Sequence, residues 1–136
     1  MRILFLLASA GLAGCSTAPH QATTNPQAEA KLQQHLAGKV AGKAQDCLST
    51  FRTHDMIRID EDTVLFRDGS KRIYRNEING SCNGLGSPNY ALVTNSFGSS
   101  GRLCRGDIAR MVDISSGMAV GSCVIGEFVP YTRQGA

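Results

Sequence analysis

The sequence predicts an α+β domain in which one N-terminal helix packs on a small, bent, mostly antiparallel β-sheet or partial barrel of about six strands. Three observations lead to this fold class. Apolar residues recur every four positions over residues 26–40, short β-like runs separated by turn residues follow from residue 51 onward, and four cysteines are spread between residues 47 and 123. The cysteines predict that the domain is braced by disulfides.

The predicted helix begins at Pro26, with Asn25 as its N-cap residue, because proline is favoured at the first helical position. Its narrow apolar stripe consists of Ala28, Leu32, Leu36 and Val40. Gly38 and Gly42 each cost roughly 1 kcal/mol of helix propensity, so we expect the helix to fray or end in this stretch. A stripe of this width predicts docking of the helix on its own domain.

Six strands are predicted at residues 56–59, 63–67, 71–78, 90–95, 107–114 and 118–125. Asp68-Gly69 predicts a hairpin turn, because glycine accepts the positive φ that such turns need. Ser115-Ser116-Gly117 predicts a second turn, between the last two strands. We interpret the acidic run Asp60-Glu61-Asp62 as a solvated turn, because calcium loops need a longer ligand spacing with a distal glutamate.

The cysteines of the domain point to disulfides before any other chemistry. They are Cys47, Cys82, Cys104 and Cys123. An even number of cysteines predicts disulfides in a chain exported to an oxidising compartment, and residues 1–15 have the pattern of an export signal. Zinc binding is the lesser interpretation, since no Cys-x-x-Cys pair occurs and the three histidines stand apart from all four cysteines. We therefore predict no metal and no cofactor.

Strand register bears on how these cysteines pair. A hairpin at the Ser-Ser-Gly turn puts Cys123 opposite a residue near Ile108, which leaves Cys104 on the order of 13 Å out of register at roughly 3.3 Å per residue. A disulfide spans at most about 7 Å between Cα atoms, so a Cys104–Cys123 bridge is disfavoured. The favoured pairing joins Cys82 with Cys104, which would staple two loops rich in Gly and Ser, and Cys47 with Cys123. Each bridge should stabilise the fold by about 3 to 4 kcal/mol.

The amino-terminal segment has the form of an export signal. Arg2 supplies a positive charge, residues 3–12 are apolar, and Leu12-Ala13-Gly14-Cys15 closes the run. The run is too short for a transmembrane helix, which needs roughly 20 apolar residues. The segment resembles the processing site of a bacterial lipoprotein. The alternative is an ordinary secretory cleavage near residues 8–10, which would leave a soluble periplasmic protein.

The lipoprotein resemblance implies a location and a membrane partner. It implies cleavage before Cys15 and acylation of both its thiol and its new amino group, which would hold the domain on a membrane almost permanently. Ser16 follows this cysteine. By resemblance to the sorting rule of many Gram-negative envelopes, a serine at that position implies the outer membrane, with the domain facing the periplasm.

The chain is accordingly divided into a signal peptide (1–14), a lipidated cysteine with a flexible tether (15–25) and a single domain (26–136). The signal leaves 122 of the 136 residues, with 13 Lys and Arg against 11 Asp and Glu. This balance, together with export, predicts no nucleic-acid partner. One predicted hairpin carries the basic residues Arg67, Lys71, Arg72 and Arg75. We interpret them as a solvated strand face, with contact to anionic lipid or polysaccharide as the alternative.

No catalytic residue is predicted, because the sequence contains no Gly-x-Ser-x-Gly elbow and no Gly-rich loop before a phosphate-binding lysine. His54-Asp55 is the only adjacent base and orienting acid, and we interpret the two as surface residues. Glu77 and Glu127 would suit a glycosidase only if the fold brought them together. Arg105-Gly106-Asp107 spells an adhesive tripeptide, but the glycine permits a bend there and the aspartate can cap the loop.

Several short motifs resemble a family of proteobacterial envelope proteins known only as a domain of unknown function, over residues 37–133. They are Ala37-Gly38-Lys39, Ala41-Gly42-Lys43, Cys47-Leu48, Cys82-Asn83-Gly84-Leu85, Leu103-Cys104-Arg105-Gly106-Asp107-Ile108 and the segment from Gly121 to Tyr131. The resemblance includes all four cysteines in order. It implies no substrate, cofactor or catalytic residue.

Two functions remain as expectations. The favoured one is a non-enzymatic accessory or binding module of the envelope, presenting loops 83–89 and 97–102 to another envelope protein or a surface polymer. The alternative is an envelope hydrolase, or a hydrolase inhibitor, that acts on cell-wall or surface polymer. The enzyme would gather His54, Glu77 or Glu127 in a concave site with a shifted pKa.

Overall fold

A computed structural model describes residues 25–49, 55–82, 84–85, 87–95 and 101–135, which form one helix and eleven strands. In chain order the elements are α1 (Pro26–Leu36), β1 (Lys39–Ala41), β2 (Cys47–Ser49), β3 (Asp55–Arg58), β4 (Thr63–Asp68), β5 (Arg72–Glu77), β6 (Asn79–Ser81), β7 (Tyr90–Asn95), β8 (Arg102–Cys104), β9 (Ile108–Asp113), β10 (Ala119–Val124) and β11 (Phe128–Arg133). The strands make three antiparallel sheets with the orders β1-β11-β5-β4-β3, β6-β10-β9-β7 and β2-β8.

The helix α1 is capped as the sequence predicts. The Oδ1 atom of Asn25 accepts a hydrogen bond from the backbone N–H of Gln27 at 3.0 Å. The buried stripe is Ala28, Leu32 and Leu36. The chain leaves the helix through Gly38, whose φ is +69°, a conformation that glycine adopts without steric cost. Val40 lies in β1 with 48% of its surface exposed, so it is not part of the stripe.

The five-stranded sheet is the middle layer of the molecule. On one face Leu65 and Ile73 pack beneath α1. On the other face Val64, Phe66 and Tyr74 pack against the two smaller sheets. Strand β4 is therefore buried on both faces, which explains its unbroken apolar run, and burial of each such side chain contributes about 1.5 to 3 kcal/mol.

The four-stranded sheet is covered on one face only. Its inward side chains Ala109, Met111 and Cys123 join the main core, and the two-stranded sheet adds Leu48 and Leu103. The outward side chains of the four-stranded sheet, which include Ile108, Arg110 and Val124, are exposed.

The predicted fold class is wrong. The protein is mostly β, with three sheets instead of one six-stranded sheet under a helix. The six predicted strands coincide with β3, β4, β5, β7, β9 and β10 to within one residue at each end, but three lie in the five-stranded sheet and three in the four-stranded sheet. The other strands escaped prediction because β1, β2, β6 and β8 have three residues each, too few for a visible alternation, and β11 contains Pro130.

All four predicted cysteines form disulfides, but the favoured pairing of Cys82 with Cys104 and Cys47 with Cys123 is wrong. The bridges are Cys47–Cys104 and Cys82–Cys123, with Cα atoms 4.0 and 5.4 Å apart. Cys47 lies directly opposite Cys104 in the β2–β8 ladder, and the β6–β10 ladder puts Gly80 opposite Cys123, two residues from Cys82. Both ladders use strands that the sequence does not reveal, which is why the pairing failed. The exclusion of a Cys104–Cys123 bridge is confirmed.

A buried amide joins the end of β5 to the segment between β10 and β11. The side chain of Asn76 is fully buried and donates hydrogen bonds to the carbonyl oxygens of Gly126 (2.8 Å) and Glu127 (3.1 Å). Its Oδ1 atom accepts one from Gly126 N–H at 3.2 Å. These three bonds satisfy backbone groups at the point where the chain crosses between sheets.

Candidate functional site

The outer face of the four-stranded sheet carries an unusual concentration of exposed apolar side chains. In the described residues eight large hydrophobic side chains are at least 36% exposed, and six of them belong to this sheet or to its β9–β10 turn. They are Val93, Ile108, Ile114, Met118, Val120 and Val124, and we call these six side chains the apolar face. Contiguous exposed apolar surface is uncommon on monomeric domains and marks interaction sites.

Strand register brings three of these side chains together on the sheet, while the other three lie at or near the β9–β10 turn. Ile108 on β9 lies opposite Val124 on β10. Two residues further along β9, Arg110 lies between Ser122 on β10 and Val93 on β7. The residues that alternate with them on β9 point into the core. Arg110 is exposed and makes no ion pair within 4.0 Å in the part of the chain that the structure describes. Three members of the apolar face, Ile108, Val93 and Val124, therefore lie around one positive charge that has no carboxylate partner among the described residues.

A β-bulge widens this surface. The β9–β10 register shifts between Ala119 and Gly121, which leaves Val120 as the extra residue of β10, 49% exposed. Bulges commonly re-aim a side chain next to a functional surface. Here the bulge adds a valine to the exposed set.

The β9–β10 turn is held rigidly by Asp113. Its Oδ1 atom accepts hydrogen bonds from Ser115 N–H (2.8 Å), Ser115 Oγ (2.5 Å) and Ser116 N–H (2.9 Å). The Ser115 hydroxyl bond, followed by the Ser116 amide bond, lowers the pKa of the Asp113 carboxyl, because both favour its charged form. The turn presents Ile114 and Met118, 62% and 68% exposed, as the most exposed members of the apolar face.

The fold does bring the predicted carboxylates Glu77 and Glu127 together. Both line a cleft of about 130 Å³ with Arg75 and Tyr131. Arg75 donates to Glu77 at 2.7 Å, and the Glu77 side chain is 69% exposed. A general acid of a glycosidase needs a desolvated carboxyl, and ligand pockets are typically about 300 Å³ or more. This cleft meets neither condition and is better described as a surface ion pair beside a second carboxylate.

Other predicted positions have structural roles or lie elsewhere. Cys15 and His54 lie outside the described residues. Asp60 Oδ1 accepts bonds from the N–H groups of Asp62 and Thr63, which confirms the solvated turn. The part of the chain with described structure holds no group of three metal-ligating side chains, and none of its helices is long and apolar enough to cross a membrane.

The adhesive tripeptide is a structural loop. Asp107 Oδ2 accepts a hydrogen bond from Cys104 N–H at 2.7 Å, and Gly106 has a φ of +92°. Both roles confirm the loop interpretation of this motif. Arg105 points outward, where it forms an exposed ion pair with Asp46 at 3.1 Å.

The structure describes only part of each of the two loops predicted to present a binding surface. In loop 83–89, Leu85 is buried, and Arg58 donates to the carbonyl oxygens of Ser87 (3.0 Å) and Tyr90 (2.7 Å). The described part of this loop is thus fastened to the core. Most of loop 97–102 lies outside the described residues.

The four basic residues of the β4–β5 hairpin do not form one patch. Arg72 lies 3.9 Å from Asp68 and donates to the Tyr74 hydroxyl at 3.3 Å, which raises the pKa of Arg72. Arg75 pairs with Glu77 in the cleft described above. Arg67 and Lys71 are exposed at the end of the hairpin that lies near α1.

A model for a protein family described as a family of unknown function (DUF6491) matches residues 1–134 of the chain. The chain belongs to this family. No curated protein and no solved structure gave a significant match. Membership in DUF6491 confirms the coarser part of the resemblance seen over residues 37–133, namely a domain of unknown function, and extends it to residues 1–134.

The apolar face of this DUF6491 protein is what sequence reasoning missed. The alternation of β9 was visible in the sequence, but Ile108 on the outside and Met111 on the inside are both apolar. The exposed Arg110 between them was the available signal for which side faces out.

Proposed function

We propose that this protein is a non-enzymatic binding module of the bacterial cell envelope, anchored by a lipid on Cys15, and that its apolar face docks a second envelope protein. This proposal rests on the observation that six of the eight exposed large hydrophobic side chains of the described residues share one sheet and its turn. Three of the six lie next to Arg110. Exposed apolar patches mark interaction sites, and arginine is enriched at the residues that contribute most to binding in protein interfaces.

The chemistry of the partner follows from this surface. An apolar protein surface with a central carboxylate would cover the valines and isoleucines and pair with Arg110. A second copy fits less well, because the described outward positions of β7, β9 and β10 carry no carboxylate and two arginines would face each other. A polysaccharide offers mainly hydroxyl groups, which do not match exposed aliphatic side chains.

The lipid anchor rests on the sequence of the first fifteen residues, which lie outside the described part of the chain. The two disulfides support export, because such bridges persist in oxidising compartments. Acylation of Cys15 after export, with Ser16 next to it, would hold the domain on the periplasmic side of the outer membrane.

The anchor has its own test in cell fractionation. Cys15→Ala should release the protein from the membrane fraction, whereas Ser16→Ala should leave it attached, since the acylated sulfur is unchanged. Retention of the Cys15→Ala protein in the membrane fraction would contradict the anchor and leave the docking proposal standing.

The docking proposal is tested by photocrosslinking in intact cells. A photoreactive residue at Val124 should give a reproducible crosslinked partner, and the same residue at Val40 should not. The two are matched, because both are strand valines, 41% and 48% exposed, on different sheets. The crosslink should disappear in Arg110→Glu and return when the facing carboxylate of the partner is changed to lysine.

Three results would contradict docking on the apolar face. One is equal crosslinking from Val40 and Val124, which would indicate random encounter. Another is a crosslink that persists unchanged in Arg110→Glu. The third is a crosslinked dimer of this chain as the sole product, which would make the occupant a second copy.

A further inference from the structure

A second patterned surface lies on the opposite side of the molecule, where the carboxyl end of α1 meets the β4–β5 hairpin. A cleft of about 320 Å³ opens there, lined on its polar side by His35, Lys39, Arg67 and Ser70. None of the described residues that line it carries a carboxylate. We call the cleft formed around His35, Lys39 and Arg67 the basic cleft.

Further cations surround the basic cleft. Lys39 lies directly opposite Arg133 in the β1–β11 ladder, and like charges opposite each other destabilise a sheet. Lys31 on α1 and Lys71 in the hairpin turn add to the positive charge. The acidic group nearest in register is Asp55, opposite Arg67 on β3.

These cations stay unneutralised while their neighbours are paired. Of the arginines near this end of the sheet, Arg72 and Arg75 have carboxylate partners. By contrast, Arg67 and Arg133 make no ion pair within 4.0 Å with any described residue. Lys39 donates to the carbonyl oxygen of His35 at 2.8 Å and so satisfies the end of the helix, but its charge is not neutralised by a carboxylate. An anion bound in the cleft would offset the repulsion between Lys39 and Arg133.

The electrostatics of His35 agree with this picture. Burial, followed by the positive charges of Arg67, Lys31 and Lys39, lowers the pKa of its imidazole. Six charged groups lie in or next to this region. Lys31 on α1, Lys39 on β1 and Arg67 on β4 act on His35, Arg133 on β11 and Asp55 on β3 are the register neighbours of Lys39 and Arg67, and Lys71 follows Ser70 in the hairpin turn. Five of the six are positive, so the region has the potential of an anion site.

We propose that the basic cleft binds a phosphate group. A guanidinium, an ammonium and an imidazole around one cleft match the several oxygens and the charge of a phosphate ester. The group could belong to the headgroup of an anionic lipid or to a free phosphate compound, since both present the same oxygens. This site requires neither the apolar face nor the lipid on Cys15, so it stands apart from the proposed docking function.

The test follows the His35 imidazole by NMR, using the full chain in nonionic detergent. Inorganic phosphate is added to one sample, phosphatidylglycerol is added to the micelles of a second, and chloride at matched ionic strength serves as the blank. The His35 signal is assigned from its absence in His35→Gln. Bound phosphate should raise the pKa of His35, because a nearby negative charge favours the imidazolium. Chloride should not.

Variants separate the basic cleft from general surface charge. Arg67→Gln removes a charge-assisted hydrogen bond and should weaken phosphate binding about tenfold. Arg105→Gln removes the same charge from an exposed ion pair elsewhere and should leave binding unchanged. Arg133→Gln should weaken binding yet slightly raise the melting temperature of the unliganded protein, because it relieves repulsion with Lys39. This opposite movement of affinity and stability would not result from a purely structural role, and it keeps the test valid if Arg67→Gln does not fold.

The outcomes are distinct. A response to inorganic phosphate assigns the site to free phosphate compounds, and a response to phosphatidylglycerol alone assigns it to a lipid headgroup; both support the phosphate site. The proposal is overturned if neither ligand moves the His35 pKa in the folded wild type. It is also overturned if Arg105→Gln weakens binding as much as Arg67→Gln and Arg133→Gln do.

Discussion

Loss of the Cys82–Cys123 disulfide should destabilise the protein more than loss of Cys47–Cys104, although the second bridge closes the longer loop. The bridged residues are 41 and 57 positions apart. The chain-entropy relation assigns about 3.9 and 4.2 kcal/mol to these loops at 25 °C. Loop length alone therefore ranks Cys47–Cys104 first, by about 0.3 kcal/mol.

Burial reverses this order. Cys82 and Cys123 are 3% and 2% exposed within the main core, whereas Cys47 and Cys104 are only half-buried on the small two-stranded sheet. Truncating the two buried sulfurs to alanine methyl groups removes packed atoms and leaves a small cavity, at a cost of roughly 1 kcal/mol for each sulfur. We therefore expect a loss of about 6 kcal/mol for Cys82→Ala/Cys123→Ala and about 4 kcal/mol for Cys47→Ala/Cys104→Ala.

The assay is equilibrium unfolding in urea, followed by circular dichroism, on the two double variants and the wild-type chain. Each variant keeps the other bridge, so each serves as the control for the other. A total stability of about 5 to 15 kcal/mol makes the first variant the one that approaches unfolding in buffer. The reasoning about burial is refuted if Cys47→Ala/Cys104→Ala has the equal or lower free energy of unfolding.

Three further predictions concern packing and pH. Gly126→Ala should cost about 3 kcal/mol in thermal unfolding, because the new Cβ would overlap the carbonyl oxygen of Glu77; an unchanged melting temperature would contradict this close approach. Asn76→Ala should lower the free energy of unfolding in urea by about 3 kcal/mol, since backbone groups of Gly126 and Glu127 lose buried hydrogen bonds; a midpoint like that of the wild type would show that water replaces them. The pKa of His35 is lowered from 6.5, so the unfolded chain binds the proton at a higher pH than the folded chain does. The folded state should therefore be most stable with respect to His35 above pH 6.5 and lose stability as the pH falls through that value. His35→Gln should flatten this part of the profile of melting temperature against pH, and an identical slope would refute the argument.

The sequence revealed the long strands and hid the short ones for a physical reason. A strand of six residues, such as β4 or β9, is long enough to show a hydrophobic pattern, which is continuous when both faces are buried and alternates when only one is. Three residues, as in β2 and β8, show almost none, and their pairing depends on contacts between distant segments. The chain also passes from one sheet to another at Ile78 and near Ile125, which are as apolar as strand residues and are buried between the sheets. A single sheet was the natural interpretation of such a pattern.

The cysteines illustrate the same limit. The count of cysteines predicted two disulfides, and register within a recognisable hairpin excluded one pair. The actual partners are fixed by the β2–β8 and β6–β10 ladders, whose strands have no local signature. For Glu77 and Glu127, the fold brings together two residues whose proximity could not be predicted from the sequence. Both are exposed, however, and Glu77 is paired with Arg75, so the two form part of an ion-paired surface.

The arrangement of the layers relates the proposed anchor to both surfaces. Asn25 leads into α1, which covers one face of the five-stranded sheet, and the basic cleft lies at the other end of this helix. An eleven-residue helix is about 16 Å long. The nine residues between Cys15 and Asn25 could span at most about 30 Å. With the proposed lipid on Cys15, the α1 side would therefore stay within reach of membrane headgroups. The apolar face lies beyond the five-stranded sheet on the opposite side. In a membrane-bound molecule the basic cleft could then take up a phosphate group, whether from a lipid or from a free compound, while the exposed valines bind a protein partner, so occupation of one surface would not block the other.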